Sequence, residues 1–305
     1  MELFNPKSNI DFMGARKWTT LLSILLFIVS IGVIATKGLN WGLDFTGGSQ
    51  LEVAYQQPAN LQDIRERLRT AGFPEAKVIS YGTSRDVLIS VAPRADLEQT
   101  EIAANIMAAL PDAEQRRFEF VGSQVGAELA TKGALAIIVA LLATMVYIAL
   151  RFEYRFAISS AVALIHDPLV ILGIFAWFQL DFDLKTLAAL LAVIGYSLND
   201  TIVVFDRARE NFRKMRKASV IEIMNASINQ TLSRTIITSV LTLVVIAALF
   251  IYGGETNRNF AFAFGIGIII GTYSSIYVAG TLAIAMGLKR SDLLPTAKAE
   301  IDDRP

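Results

Sequence analysis

Six stretches of this 305-residue sequence are apolar for long enough to cross a bilayer, at 18–36, 131–150, 156–178, 187–205, 235–252 and 260–286. Backbone polar groups inside hydrocarbon must be satisfied within their own segment, so these runs predict a bundle of six transmembrane helices. The first run follows Arg16 and Lys17, the flank of a secretory signal. At about twenty residues it is too long for the core of such a signal, and no small-x-small cleavage site follows, so it is expected to remain as the first span.

Loop charge sets the expected orientation. Arg151 and Arg155 lie between the second and third runs, and Arg207, Arg209, Arg213, Lys214, Arg216 and Lys217 between the fourth and fifth. The alternate loops, 179–183 and 253–258, are poor in Lys and Arg, while Lys289 and Arg290 follow the sixth run. The positive-inside rule then places both termini, 1–17 and 287–305, in the cytoplasm. Within the basic loop 206–234, Val220, Ile223, Met224, Ile228 and Leu232 predict an amphipathic helix lying along the cytoplasmic surface. Topology already explains the basic stretch. With 28 acidic and 28 basic residues the net charge is zero, which argues against nucleic acid as a partner.

Between the first two spans, residues 37–130 change to strand and helix periods and form a separate soluble domain. Residues 50–55 alternate as a strand, and Leu61, Ile64, Leu68 and Ala71 mark one helix face after the cap candidate Asn60. Segments 77–81 and 86–91 read as strands joined through Gly82-Thr83-Ser84, 96–110 as a second helix, and 117–121 as a last strand. The order βαββαβ predicts an α+β, ferredoxin-like domain outside the inner membrane. The fold class is thus a polytopic α-helical membrane protein with a periplasmic ferredoxin-like insert.

Asp200 lies inside the fourth run, where a carboxylate costs on the order of 2.5–3.5 kcal/mol even on lenient insertion scales. It needs a partner, a proton or a water cavity. Asp206, beside Arg207 and Arg209 at the end of the run, reads as a solvated flank. Arg234 opens the fifth span at a similar depth and either pairs with Asp200 or snorkels to the interface. Tyr196, Ser197, Asn199 and Thr201 surround Asp200 with polar groups that either hold water or an ion or glue one span to another. His166, the only histidine, and Asp167 lie within the third run before Pro168: a second proton site, or an internal polar pair at a proline kink. Gly267, Gly271, Ser275 and Ala279 form a close-packing face on the sixth span.

Some chemistry is excluded. The sequence has no cysteine and no HExxH spacing, so no metal site is expected. Nothing outside the membrane assembles a nucleophile with a base, so the chain is not expected to be an enzyme. Gly42-Leu43-Asp44-Phe45-Thr46-Gly47-Gly48 lacks phosphate-loop spacing and is expected to shape a tight connection between the first span and the first strand.

Taken together, that glycine motif, His166-Asp167, the run from Gly195 to Arg207, Gln230-Thr231-Leu232-Ser233-Arg234-Thr235 and Gly271-Thr272-Tyr273-Ser274-Ser275 resemble the SecD/SecF family of protein-export membrane subunits. That family is similar to the resistance-nodulation-division transporters. The resemblance implies a six-span subunit of the bacterial inner membrane that pairs with SecD as its homologous half and associates with the SecYEG channel and YajC. It implies coupling of an H+ or Na+ gradient to late translocation and release of exported polypeptides, without a cofactor. Asp200 matches the family's transmembrane acid and Arg234 its arginine on the following span. Two other functions stay open: half of a small-molecule efflux pump, which the small external domain disfavours, and a non-conducting scaffold for SecD.

Overall fold

The computed structural model describes residues 10–94 and 99–289, apart from the side chains of 99 and 100. The predicted terminal segments 1–17 and 287–305, and the start of the helix predicted at 96–110, fall partly or largely outside these. Six helices are long and apolar enough to cross a membrane, spanning Met13–Lys37, Ser123–Arg151, Tyr154–Phe178, Leu184–Lys214, Val220–Tyr252 and Glu255–Ala285. Their regular parts are α1 (Arg16–Lys37), α5 (Ser123–Arg151), α6 (Tyr154–Phe178), α7 (Leu184–Lys214), α8 (Val220–Tyr252) and α9 (Glu255–Ser274). A π-helical turn at Ser275–Ala279 joins α9 to α10 (Gly280–Ala285). The most apolar windows of α6, α7 and the last span are 56%, 50% and 44% buried, against 17%, 11% and 17% for α1, α5 and α8. The first three form the centre of the bundle, and any polar group placed there is cut off from water.

Small residues let the central helices touch. A Cβ at Gly267 would lie 2.1 Å from Val193 Cγ2, and one at Gly271 would lie 2.9 Å from Ser197 Cβ. This is the close-packing face expected from Gly267, Gly271, Ser275 and Ala279. Pro168 sits within α6 without ending it, and α6 runs on to Phe178.

The loop 206–234 differs from expectation. Helix α7 continues to Lys214 and α8 already starts at Val220, so only a short turn separates them and no independent surface helix exists. The apolar stripe Ile223, Met224, Ile228 and Leu232 packs against Val204, Phe205, Ala208 and Phe212 of α7 rather than against lipid. Helical periodicity identifies an apolar face but not what covers it. The N-terminal strap seals the arrangement: Phe12 and Met13 are buried, and Asn225 and Asn229 hydrogen-bond the backbone of Met13 and Ile10. Asp206 is half-exposed and accepts two hydrogen bonds from Arg151 at 2.9 Å, in keeping with a solvated flank.

Between α1 and α5 lie β1 (Asn40–Trp41), α2 (Leu43–Thr46), β2 (Gly48–Tyr55), α3 (Leu61–Thr70), β3 (Lys77–Tyr81), β4 (Thr83–Val91), α4 (Gln99–Ala109) and β5 (Ala113–Val121). Strands β2 to β5 form an antiparallel sheet in the order β3-β4-β2-β5. Alternation puts Leu51, Val53, Val78, Val87 and Ile89 on one face, under Ile64 and Leu68 of α3 and Ile102 and Ile106 of α4. The opposite face carries Gln50, Glu52, Arg117 and Glu119 and overhangs the ends of α7 and α9 across a polar cleft of about 240 Å³.

The glycine motif is the joint between this sheet and the spans. Asn40–Trp41 pairs in parallel with β6 (Asp181–Phe182), and the Gly42 N–H donates to Phe182 O at 2.9 Å. Two carboxylates then cap α7: Asp183 accepts from the Thr186 N–H and hydroxyl at 2.7 Å each, and Asp44 accepts from the Leu184 N–H at 3.0 Å. Both satisfy orphan donors and complement the helix dipole. Asp183→Ala is expected to cost about 1 kcal/mol, read as a lower thermal midpoint of the purified chain.

Candidate functional site

The polar residues of α7 divide between two faces. Asp200 and Tyr196, four residues apart, face α8. Asp200 is 3% exposed, and the groups that act on it electrostatically are Arg234 and the Thr235 hydroxyl. Neither closes a short contact: among the described residues, Asp200 Oδ2 and Thr235 Oγ1 are buried without a hydrogen-bond partner, and no salt bridge joins Arg234 to Asp200. Arg234 is exposed on the bundle surface. A carboxylate so placed has not been neutralised by a tight partner, and gain or loss of a cation there changes the charge of the bundle interior outright.

Tyr196 lies along the same α7–α8 seam but reaches away from Asp200. Its hydroxyl donates to Thr242 Oγ1 at 3.5 Å, and its ring meets Phe264 edge-on at 6.2 Å. Asn199 is exposed on the outside of the bundle. Of the four polar neighbours singled out from the sequence, neither of these touches Asp200.

Ser197 and Thr201 lie on the other face, toward α6 and the π turn. Ser197 donates to Asp167 Oδ2 at 2.5 Å, Ser274 donates to the same oxygen at 2.7 Å, and His166 Nδ1 meets Asp167 Oδ1 at 3.0 Å. Thr201 Oγ1 and Ser275 Oγ lie 2.8 Å apart and 3.3 and 3.2 Å from Ser197 O, so one hydroxyl donates to the other, which in turn donates to Ser197 O. Asp167 is 1% exposed. Ser274 and Ser275 had been legible only as part of the Gly271–Ser275 motif, with Ser275 marked for packing. Their signal was the paired hydroxyls in an otherwise apolar span, where each needs a partner.

Close approach at Gly271 holds this network together. Gly271→Ala would drive a methyl into Ser197 and is expected to cost roughly 1–3 kcal/mol. Its thermal midpoint should fall, whereas alanine at the unobstructed Gly195 should leave it nearly unchanged.

Comparison with known proteins places the chain. The family model for the C-terminal part of the protein export membrane protein SecD/SecF matches residues 101–289, and the SecD/SecF GG motif matches 32–59. The protein translocase subunit SecF of Vibrio alginolyticus is 47% identical over 313 residues, covering 100% of this chain and 99% of that protein. The SecF of Pseudomonas aeruginosa is 45% identical, covering 97% and 98%. Among solved structures, a Thermus SecDF described as a translocon-associated membrane protein superposes with a TM-score of 0.85 at 37% identity over 93% of this chain. SecDF in a super-membrane-facing form superposes with a TM-score of 0.70. The chain spans 39% of each SecDF chain. Six apolar spans, a glycine joint capping the fourth and full-length identity to translocase subunits lead to one assignment: the chain belongs to the SecD/SecF family of protein-export membrane proteins, as a SecF.

Proposed function

We propose that this SecF, working with SecD, couples an H+ or Na+ gradient to late translocation and release of exported polypeptides through Asp200. The observation that carries the reading is a buried carboxylate with an unpartnered oxygen in the middle of a span, within the field of an exposed arginine on the next helix. Such a charge is expensive to keep in a membrane unless it works. Taking up a cation changes the charge that Asp200 presents to Arg234 and so biases how α7 and α8 sit against each other.

The magnitudes limit the scheme. One charge crossing the membrane releases roughly 2.3 kcal/mol per 100 mV, whereas inverting a balance from 1:99 to 99:1 takes about 5.5 kcal/mol. A single ion therefore biases the cycle, and either several ions or nearly balanced conformers complete it.

The remaining assignments follow this reading. The antiparallel order β3-β4-β2-β5 with both helices on one face supports a ferredoxin-like domain. The domain is periplasmic, with both termini cytoplasmic in the bacterial inner membrane, because the basic loops lie at the opposite ends of the spans. Ala188, Ala192, Gly195 and Asn199 form an exposed stripe of small or polar residues along α7, suited to close approach by a helix of SecD. SecYEG and YajC complete the assembly.

The test is export into inverted membrane vesicles containing this chain and SecD. A late phase that responds to the ion gradient is expected only when the chain is present. Export equally gradient-dependent without it would overturn the reading.

A further inference from the structure

The glycine joint ties the sheet to α7, but the sheet also touches α9. Alternation along β3 turns Val78 into the core of the domain and Lys77 and Tyr81 toward the spans, about 13 Å apart. Lys77 donates to Asp181 Oδ1 at 2.8 Å, in the short strand that leads into α7. Tyr81 reaches farther, and its hydroxyl lies 2.8 Å from Thr256 Oγ1 in the first turn of α9. Two contacts between the spans continue this line. Lys185 of α7 donates to Thr256 O at 3.2 Å, and Asn259 of α9 donates to Asp181 O at 3.0 Å. Tyr81, Lys185 and Asn259 thus stitch one seam, with the sheet and α7 on one side and the start of α9 on the other.

The seam is weaker than the joint. Each stitch is a hydrogen bond from an exposed or half-buried side chain, where water replaces the partner at little cost. The polar cleft lies over the seam, and of its lining side chains only Leu43 and Leu88 are aliphatic, so opening it uncovers little apolar surface. The attachment to α7 is of another kind. Phe45 is buried in one cluster with Phe182 and Leu187, and the Gly42 N–H is bonded to Phe182 O. A force between α7 and α9 therefore parts the seam before it parts the joint.

The packing of α7 on α9 supplies a fulcrum. The two helices approach closely where Val193 meets Gly267 and Ser197 meets Gly271. Asp200 lies three residues beyond this contact, and Leu184, the first residue of α7, lies nine residues before it. At 1.5 Å per residue the arms are about 5 and 14 Å long, so a small tilt driven at Asp200 is enlarged at the sheet. The two SecDF structures cover this chain almost equally, at 93% and 94%, yet superpose on it to different extents, so the matched elements are arranged differently in them.

We propose that Tyr81 and Thr256 form a latch that opens during export. Helix α7 tilts on its contact with α9, carries the sheet with it through the joint, and draws Tyr81 off Thr256. The Lys77–Asp181 pair stays closed because both of its ends ride with α7. The latch rests on the coupling reading for its driving force, and its test separates the two.

The test uses the full chain, which has no cysteine, with Tyr81→Cys and Thr256→Cys, assembled with SecD in inverted vesicles. A membrane-permeant bis-maleimide with a cleavable centre links the two thiols within one chain, and Lys77→Cys with Asp181→Cys is the comparison pair. Imposing the ion gradient during export should lower the yield of the 81–256 link several-fold and leave that of the 77–181 link unchanged. Protein linked at 81 and 256 should lose the gradient-dependent late phase and regain it when the linker is cut. Three results would each overturn the latch: an 81–256 yield unchanged by the gradient, a linked protein with a normal late phase, or an equal fall at both pairs, which would mean that the domain lifts away from α7 as well. Should the 81–256 pair fail to fold, Gly82→Cys with Glu255→Cys replaces it, since a Cβ at Gly82 would stand 3.5 Å from Glu255 Cγ. Gradient-independent export by the wild type with a yield that still falls would remove the coupling reading and leave the latch.

Discussion

Asp200→Asn is expected to abolish the gradient-dependent phase of export while leaving the folded bundle nearly as stable as before. Asparagine keeps the size and shape of the side chain, so the packing of α7 against α8 survives. It cannot exchange a proton or present a full charge to a cation. Removing an acid usually strands its basic partner, but Arg234 is exposed and makes no salt bridge with Asp200 among the described residues, so no new buried charge is left behind. The stability change should stay within about 1 kcal/mol, and relief of a poorly satisfied carboxylate gives it a stabilising sign. Function and stability thus separate in this variant. The measurement is export into inverted vesicles at matched levels of the variant and SecD, with the H+ and Na+ gradients collapsed in turn. The gradient whose collapse affects only the wild type identifies the ion. Equal sensitivity in both proteins would return Asp200 to a structural role and move attention to Asp167.

How far the sequence led depended on whether a residue's cost was intrinsic or contextual. Asp200 was legible because a carboxylate at membrane depth is expensive wherever its neighbours lie. The six spans and the βαββαβ order were legible because length and period are local properties. What could not be read was which neighbour covers each face. Ser197 and Thr201 directly follow Tyr196 and Asp200, yet the first pair turns to α6 and the π turn and the second to α8. Asn199 sits between them in sequence and points outward. The same ambiguity produced the surface helix expected at 219–232, since an apolar stripe looks alike whether it meets lipid or Phe205 and Phe212. Asp167 was recognised as unusual, but its partner Ser274 lies 107 positions away and only the tertiary fold brings it there.

The glycine joint carries the other large effect. Gly48 adopts φ +120°, and a Cβ there would fall 2.3 Å from Val91 O, where Ser49 begins its pairing with Val91. Gly48→Ala must therefore both strain the backbone and open the first rung of the sheet, at an expected cost of roughly 3 kcal/mol or more. Gly72 is the control: its φ is +90° but nothing lies within 4 Å of a Cβ, so alanine there meets backbone strain alone, about 1–2 kcal/mol. Thermal unfolding and limited proteolysis of the membrane-inserted protein should rank Gly48→Ala well below Gly72→Ala, and equal effects would show that the joint is not tightly packed. The neighbours of Gly48 explain why such tightness matters. A Cβ at Gly47 would meet Ser123 Cα at 2.8 Å, and one at Gly126 would meet Gly47 N at 2.8 Å, so the start of the sheet is seated directly on the first turn of α5. Asp44 in the same motif caps α7. The helix that carries Asp200 and the sheet outside the membrane are therefore connected through a joint with no slack. The exit from α1 is tied down as well: Gly38, φ +68°, accepts from Gln179 Nε2 at 3.2 Å, and Asn40 donates to Gln179 O at 2.9 Å. A shift of α7 is therefore expected to carry the sheet with it through the glycine joint.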